Sequence, residues 1–273
     1  SEPFSVLAAE AVTATDEAAV DPDRVGAGER PTEQGGDPDA QQPVREKMLP
    51  HPPSGAADPV VQRVLKRPSA AVGGTRLAPT PGVGFDTVGS GFAGFAVRYA
   101  PPDTSSSVGA TQIVTVVNTA LSVQDKTGKI LLGPVATSSI WSGFGGPCQT
   151  TNDGDGVVRY DALAGRWIIS QFANVGSSTG PFYECVAVST SGDATGTYNR
   201  YAFSFSSFPD YPKLSVWPDA YYVSYNMFNA AGTAFLGGQV CAMDRAAMLA
   251  GTAATQVCFT TSTSYGGLLA SDL

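Results

Sequence analysis

Val157-Val158-Arg159-Tyr160, the turn Asp161 to Gly165, and Trp167-Ile168-Ile169-Ser170-Gln171-Phe172 read as two strands joined by a hairpin. Branched and aromatic residues recur at period two between clusters of Asp, Gly and Ala, the pattern of half-buried β-structure. Cys185-Val186-Ala187-Val188 and Tyr198 to Phe203 follow as two further strands, separated by Ser191-Gly192-Asp193-Ala194-Thr195-Gly196. The same order then returns. Lys213-Leu214-Ser215-Val216-Trp217 turns at Pro218-Asp219-Ala220 into Tyr221 to Phe228, and Gln239 to Met243 and Gln256 to Phe259 complete the set. Aligning Val157 with Leu214 and Cys185 with Cys241 gives offsets of 57 and 56 residues.

Upstream, Ile113 to Val117, Ala120 to Gln124 and Lys129 to Leu132 supply three strands of an earlier unit, with Asp125-Lys126-Thr127-Gly128 as one of its turns. Two four-stranded units of near-equal period, preceded by most of a third, are the signature of β-propeller blades. The fold expected is therefore all-β, a partial propeller of about three four-stranded blades over residues 76–273, behind an extended N-terminal arm. The competing reading is a β-sandwich whose regularity is accidental. A propeller ring takes four to eight blades. The ring is thus expected to be completed by a C-terminal continuation or by a second polypeptide.

Composition agrees with many short strands and tight turns. The 273 residues hold 31 Gly and 20 Pro, and only 15% are charged. A net charge of -8 argues against binding a phosphate backbone, so no nucleic-acid partner is expected. No apolar run approaches the ~20 residues of a membrane-spanning helix. The one histidine, His51, lies in the Pro-rich stretch Leu49-Pro50-His51-Pro52-Pro53. The blades themselves therefore cannot build a Ser-His-Asp triad or a His-ligated metal site.

Cys148, Cys185, Cys241 and Cys258 form no CxxC pair, and an even count in a chain this poor in Lys reads as two disulfides formed in an oxidising compartment. Among the three connectivities, Cys148–Cys185 and Cys241–Cys258 are predicted. The latter joins adjacent third and fourth strands, and the former ties the Gly-rich loop before Cys148 to its own blade. A secreted or cell-surface location follows from that reading.

Residues 1–75 differ in kind. They contain one aromatic, Phe4, and six of the seven glutamates, so they read as an acidic, Pro-rich arm without a core of its own. Ser5 to Val20 is Ala-rich enough for a turn or two of helix. Asp58 to Lys66 has an N-cap Asp and apolar residues at helical spacing, and Val60, Val61, Val64 and Leu65 are expected to anchor the arm on the blades.

Several strings together resemble a family of secreted, largely uncharacterised bacterial β-propeller proteins. They are Pro101-Pro102-Asp103-Thr104, Val108-Gly109-Ala110-Thr111, Lys126-Thr127-Gly128, Gly143-Phe144-Gly145-Gly146-Pro147-Cys148, Asn152-Asp153-Gly154-Asp155, Arg166-Trp167, Ser170-Gln171-Phe172 and Asp210-Tyr211-Pro212-Lys213-Leu214 with Val216-Trp217-Pro218-Asp219. The resemblance covers about residues 85–273. It implies the fold and, because relatives usually continue further, additional blades; it implies no particular reaction. Ser105-Ser106-Ser107 departs from the Asn-Gly pair of relatives. Ser191 to Tyr198 is similar to the Asp-box of sialidase-type propellers, a structural hairpin, with one extra residue before the glycine.

Three groups of residues could carry chemistry. Asn152, Asp153 and Asp155 concentrate oxygens in one short loop, which reads either as the start of a Ca2+ site or as an Asx-rich turn. The EF-hand pattern fails there, with Thr151 at its first ligand position and Ala162 at its twelfth. Asp155, Glu184 and Asp219 are the candidate carboxylates for a glycan hydrolase, which needs two of them flanking a glycosidic bond. Trp217, Tyr221, Tyr222 and Tyr225 form an aromatic stripe, half of which should face the core and half remain free to stack on a glycan or protein ligand. The leading expectation is an extracellular, non-catalytic binding or scaffold protein, and the alternative is the hydrolase.

Overall fold

A computed structural model describes residues 82–99 and 101–272, together with the backbone of Leu7–Ala8 and Ala18–Ala19. It is all-β, built on three antiparallel sheets of four consecutive strands, with few and short helices. The first sheet runs β3 (Ser105–Val108), β4 (Gln112–Val117), β5 (Ala120–Asp125) and β6 (Ile130–Ala136). The second runs β7 (Val157–Asp161), β8 (Arg166–Ala173), β9 (Phe182–Ser189) and β10 (Thr197–Phe205). The third runs β11 (Phe208–Val216), β12 (Tyr221–Phe228), β13 (Phe235–Met243) and β14 (Gln256–Thr260).

The first unit is thus a complete four-stranded sheet. Its extra strand, β3, is the serine run, and the hydroxyls explain how so polar a strand is held. Ser105 accepts from the Val158 N–H at 3.1 Å and Ser107 from the Tyr160 N–H at 3.0 Å, which fastens β3 against β7 of the next sheet. A β-bulge between Asp210 and Lys213 lengthens β11 at its start. It also corrects the repeat. Val157 faces Ser170 while Lys213 faces Ser224, so Lys213, not Leu214, is the counterpart of Val157. By the same register Gln239, not Cys241, corresponds to Cys185, a two-residue slip that keeps the side chain on the same face.

Alternation along the strands sends side chains into two main cores. Between the first and second sheets lie Val114, Val116, Leu121 and Val123 with Trp167, Ile169, Cys185 and Ala187, capped by Ile140 and Trp141 from a 3-10 turn (Thr137–Trp141). Between the second and third lie Ile168, Phe172, Phe182, Val186 and Val188 with Leu214, Val223, Tyr225 and Met227. The outer face of the first sheet is covered by Val88, Phe92 and Phe95 from residues 82–99. On the outer face of the third sheet Leu236, Val257 and Phe259 remain exposed.

Both predicted disulfides form, and no cysteine among the described residues is free. Cys241 and Cys258 sit directly opposite each other on β13 and β14, with Cα atoms 4.0 Å apart. Cys148 lies in a five-residue helix, α1 (Gly146–Thr150), and bridges to β9. The Gly143-to-Cys148 loop around it is packed by the buried Arg200, which donates to the Ser142 carbonyl at 2.7 Å and lies over the Phe144 ring. Among the described residues no helix is long and apolar enough to cross a membrane.

Two dipeptides of the N-terminal region are strands rather than helix. β1 (Leu7–Ala8) adds to β14 and β2 (Ala18–Ala19) adds to β10. An edge strand offers unpaired N–H and C=O groups, and that pairing outweighs the helical preference of an Ala-rich segment. The expected helix at 58–66 and its anchors Val60, Val61, Val64 and Leu65 lie outside the described residues.

Candidate functional site

The first strands of the three sheets, β3, β7 and β11, run side by side. Each carries a residue in the left-handed backbone region near its start: Asp103 (φ 42°) and Asp155 (φ 48°) just before β3 and β7, and Tyr211 (φ 57°) in the bulge of β11, each two residues before the register-matched positions Ser105, Val157 and Lys213. Such conformations are costly for residues other than Gly and persist where the surroundings hold them. Asn118 does so for the first two. Its Nδ2 donates to Asp103 Oδ2 and to the Pro101 carbonyl, both at 2.7 Å, while its Oδ1 accepts from the Asp155 N–H at 2.8 Å. Gly154 (φ 101°) must be glycine here, because a Cβ would sit 2.5 Å from Asn118 Oδ1.

These turns gather Asp103, Asp155 and Asp210 into one electrostatic group with Lys213. Burial raises the Asp155 pKa to about 7, the charges of Asp210 and Asp103 push the same way, and Lys213 opposes them. Lys213 is itself lowered by burial, and its ammonium stands 3.5 Å from the Tyr211 ring centroid. Behind Asp155, on β9, Glu184 is only 1% exposed. Burial raises its pKa to about 8, and the charge of Asp155 adds to this. The Ser170 hydroxyl favours ionised Glu184 but lies outside hydrogen-bonding geometry, so both carboxyl oxygens lack a hydrogen-bond partner.

Of the three candidate carboxylates, Asp155 and Glu184 therefore come together. Asp219 does not. It lies exposed in the β11–β12 hairpin, at the opposite end of β11 from the bulge, and accepts from Tyr222 Oη at 2.7 Å. The oxygen-rich loop also divides. Asn152 accepts from the Ser138 N–H and donates to the Thr119 carbonyl, Asp153 accepts from the Val175 N–H, and Asp155 turns toward Asp103. Among the described residues no group of three or more His, Cys, Asp or Glu could hold a metal ion.

The aromatic stripe splits by strand alternation. Tyr221 and Tyr225 are buried between the second and third sheets, and Trp217 and Tyr222 are accessible. Trp217 donates from its indole N–H to the Ser271 carbonyl at 2.6 Å. The Asp-box-like hairpin is structural: Asp193 accepts from Thr195 and, at 2.7 Å, from Gln112 Nε2 of the first sheet.

Sequence reasoning did not single out Asp103, Asn118 or Lys213 as members of the site. The available signal for Asp103 and Lys213 was their place in the Pro-Pro-Asp-Thr and Asp-Tyr-Pro-Lys strings, just before β3 and in the bulge of β11; no string marked Asn118. No family model matches the chain, and no curated protein is similar to it.

Proposed function

We propose that this is an extracellular binding protein of β-propeller type, which recognises a glycan or protein ligand at the face where the first strands begin. The observation that carries the reading is the shared lead-in geometry of Asp103, Asp155 and Tyr211. Three adjacent strands deliver acidic and aromatic side chains to one mouth, the usual ligand position where strands converge on an axis. The two disulfides support an oxidising, extracellular setting.

The repeat also supports further blades, supplied by C-terminal continuation or a second polypeptide. Asn226 occupies the same register position as Asn118, and its Oδ1 accepts from the N–H of Gly267 (φ 61°) at 2.7 Å, as Asn118 does for Asp155. This placement of the chain from Gly267 supports reading it as the lead-in to a fourth first strand. The exposed Leu236, Val257 and Phe259 fit a sheet that packs on one more neighbour.

One observation favours the second reading, a glycan hydrolase. Asp155 is protonated to a substantial degree near neutral pH beside two other aspartates, and carboxyl groups whose environments push their pKa values apart are what acid–base cleavage of a glycosidic bond uses. A panel of soluble oligosaccharides and polysaccharides tests both. Binding by calorimetry that weakens at least about tenfold in Asp155→Asn, without release of reducing ends, supports the binding protein; a loss of about 1.4 kcal/mol is the corresponding scale. Release of reducing ends that disappears in Asp155→Asn establishes the hydrolase. Unchanged binding in that variant removes this face from consideration.

A further inference from the structure

Each sheet ends in an outer strand, β6, β10 or β14, and two of the three margins are occupied. Leu7 and Ala8 pair antiparallel with Cys258 and Val257 near the start of β14, and Ala18 and Ala19 with Tyr198 and Thr197 at the start of β10. β6 has no neighbour on its outer side among the described residues. Its first two residues, Ile130 and Leu131, are exposed apolar side chains. A bare margin of this kind is a template for another strand, and proteins cover or blunt it. β6 is blunted in its second half only. Pro134 has no N–H to offer, so an added strand is confined to the stretch from Ile130 to Leu132. That stretch has room for a segment as short as β1 or β2.

The course of the chain points to the occupant. From the N-terminal side it meets the third sheet at residues 7–8 and the second at residues 18–19, and it is next described where residues 82–99 cover the first. Residues 20–81 therefore start at the margin of β10 and end just before Phe85. The Phe85 ring lies against Gly128 in the turn into β6, so close that a Cβ on Gly128 would sit 2.7 Å from it. The next residue, Asp86, is fixed there too, its carbonyl accepting from Gln124 Nε2 at 3.0 Å. Within residues 20–81 the tripeptide Ala70-Ala71-Val72 repeats Ala18-Ala19-Val20. Each is followed at once by chain breakers, Asp21-Pro22 in one case and Gly73-Gly74 in the other. Ala71 precedes Phe85 by fourteen residues, about 45 Å of extended chain, which is ample to reach Ile130.

We propose that Ala70-Ala71-Val72 adds to the outer edge of β6 as β2 adds to β10. The N-terminal region is then a belt that meets all three sheets in reverse order, third to first. In β2, Ala19 stands opposite Thr197 and Ala18 opposite Tyr198. The same register on the first two residues of β6 sets Ala71 opposite Ile130 and Ala70 opposite Leu131. Strand addition of this kind takes its affinity from main-chain hydrogen bonds, so small alanine side chains suffice. It closes the margin of β6 to other chains, and it does not depend on what the mouth of the sheets recognises.

Two double variants of the full chain test the register: Ala71→Cys with Ile130→Cys, and Ala70→Cys with Leu131→Cys. Directly opposite residues alternate between a closer and a wider spacing, and Cys241 with Cys258 shows that such a pair bridges in this protein. Non-reducing peptide maps should recover a third disulfide within one molecule in at least one of the two variants, and not in Ala40→Cys with Leu131→Cys. Hydrogen exchange gives an independent readout. Successive N–H groups of a strand point to opposite sides, so one of Ala70→Pro and Ala71→Pro removes a donor to β6. In that variant exchange over Ile130–Leu132 should be at least about tenfold faster than in the unaltered chain, while Ala40→Pro leaves it unchanged. Bridging no greater than in the Ala40 control overturns the proposal, as does fast exchange over Ile130–Leu132 in the unaltered chain or protection that survives both proline variants. An engineered bridge between two molecules, or protection that rises with protein concentration, would give the margin to a second copy and likewise overturn it.

Discussion

Arg245, the first residue of α2 (Arg245–Ala250), grips Asp161 at the end of β7, with Nε 2.7 Å from Oδ2 and Nη2 3.1 Å from Oδ1. The contact ties the third sheet to the second. Asp161 has no exposed surface and also accepts from Tyr221 Oη at 2.8 Å and from the Ala164 N–H at 3.0 Å. Asp161 and Asp219 both sit at the hairpin between the first two strands of their sheets, yet one is a buried inter-sheet clamp and the other a surface group. Their difference comes from α2, whose Arg245 guanidinium reaches the Asp161 carboxylate but meets the β11–β12 hairpin at the Pro218 carbonyl, 3.2 Å from Nη1, and not at Asp219.

Removing the clamp leaves a buried charge. Arg245→Ala should destabilise the protein by about 3 kcal/mol, the scale for breaking a buried pair from one side. Burial alone would raise the Asp161 pKa, but the bonds from Arg245, Ala164 and Tyr221 outweigh it and the net shift is downward. A depressed native pKa gives stability that is whole above the unfolded value of 3.8 and is lost as pH falls through the native one. Urea melts from pH 3 to 7 should show the Arg245→Ala deficit above about pH 4 and its shrinkage below that. A deficit that does not change with pH would assign the effect to packing instead.

Glu184 has the opposite sign. Its native pKa, raised from 4.5 to about 8, makes the folded state bind more protons than the unfolded state between those values. Stability should therefore fall as pH rises from about 5 to 8. Glu184→Gln, which keeps the shape and removes the ionisation, should flatten that slope and be the more stable form at pH 8 by at least about 1 kcal/mol. Parallel slopes for the two proteins would show that Glu184 does not titrate in the folded core.

Non-reducing peptide maps should return Cys148 with Cys185 and Cys241 with Cys258. The Cys241–Cys258 bridge has a sequence separation of 17, and replacing both residues by Ala should cost about 3 kcal/mol by chain entropy. Calorimetric midpoints of the double variant measure it.

Asn118→Ala removes the acceptor of the Asp155 N–H and the donor to Asp103 at once. A loss of about 1–2 kcal/mol is expected, together with a change in the Asp155 titration followed by carboxyl NMR. Asn226→Ala should cost a comparable amount if its bond to Gly267 serves the same purpose.

Much of the fold was legible. β7, β8, β11 and β12 announced themselves by alternation because each buries one apolar face against a neighbouring sheet. β3 did not, since Ser105 and Ser107 meet the next sheet through hydroxyls and leave no apolar period to find. The bulge between Asp210 and Lys213 shifted the repeat by one residue, a local irregularity that periodicity does not encode. The candidate site was legible only in part. Asp155 and Glu184 could be nominated as acids, but their meeting depends on how the strands of the second sheet are set beside one another, and Asp103 is held next to Asp155 by Asn118. Burial of Tyr221 and Tyr225, against exposure of Trp217, follows from which face α2 and the second sheet cover.

The pairing of Leu7 with Cys258 has a consequence in time. β1 is made before the three sheets and its partner β14 belongs to the third, so that dipeptide must wait, unpaired, through the synthesis of all three. β2 waits less long, for Tyr198 on β10. The outer margin of the second sheet can therefore be sealed while the third is still emerging, whereas that of the third is sealed only when nearly the whole described chain is present. Contacts of such long range are slow to close. Until that closing step the edge of β14 is open to a neighbouring molecule, and the newly made sheet is exposed to misassociation along it.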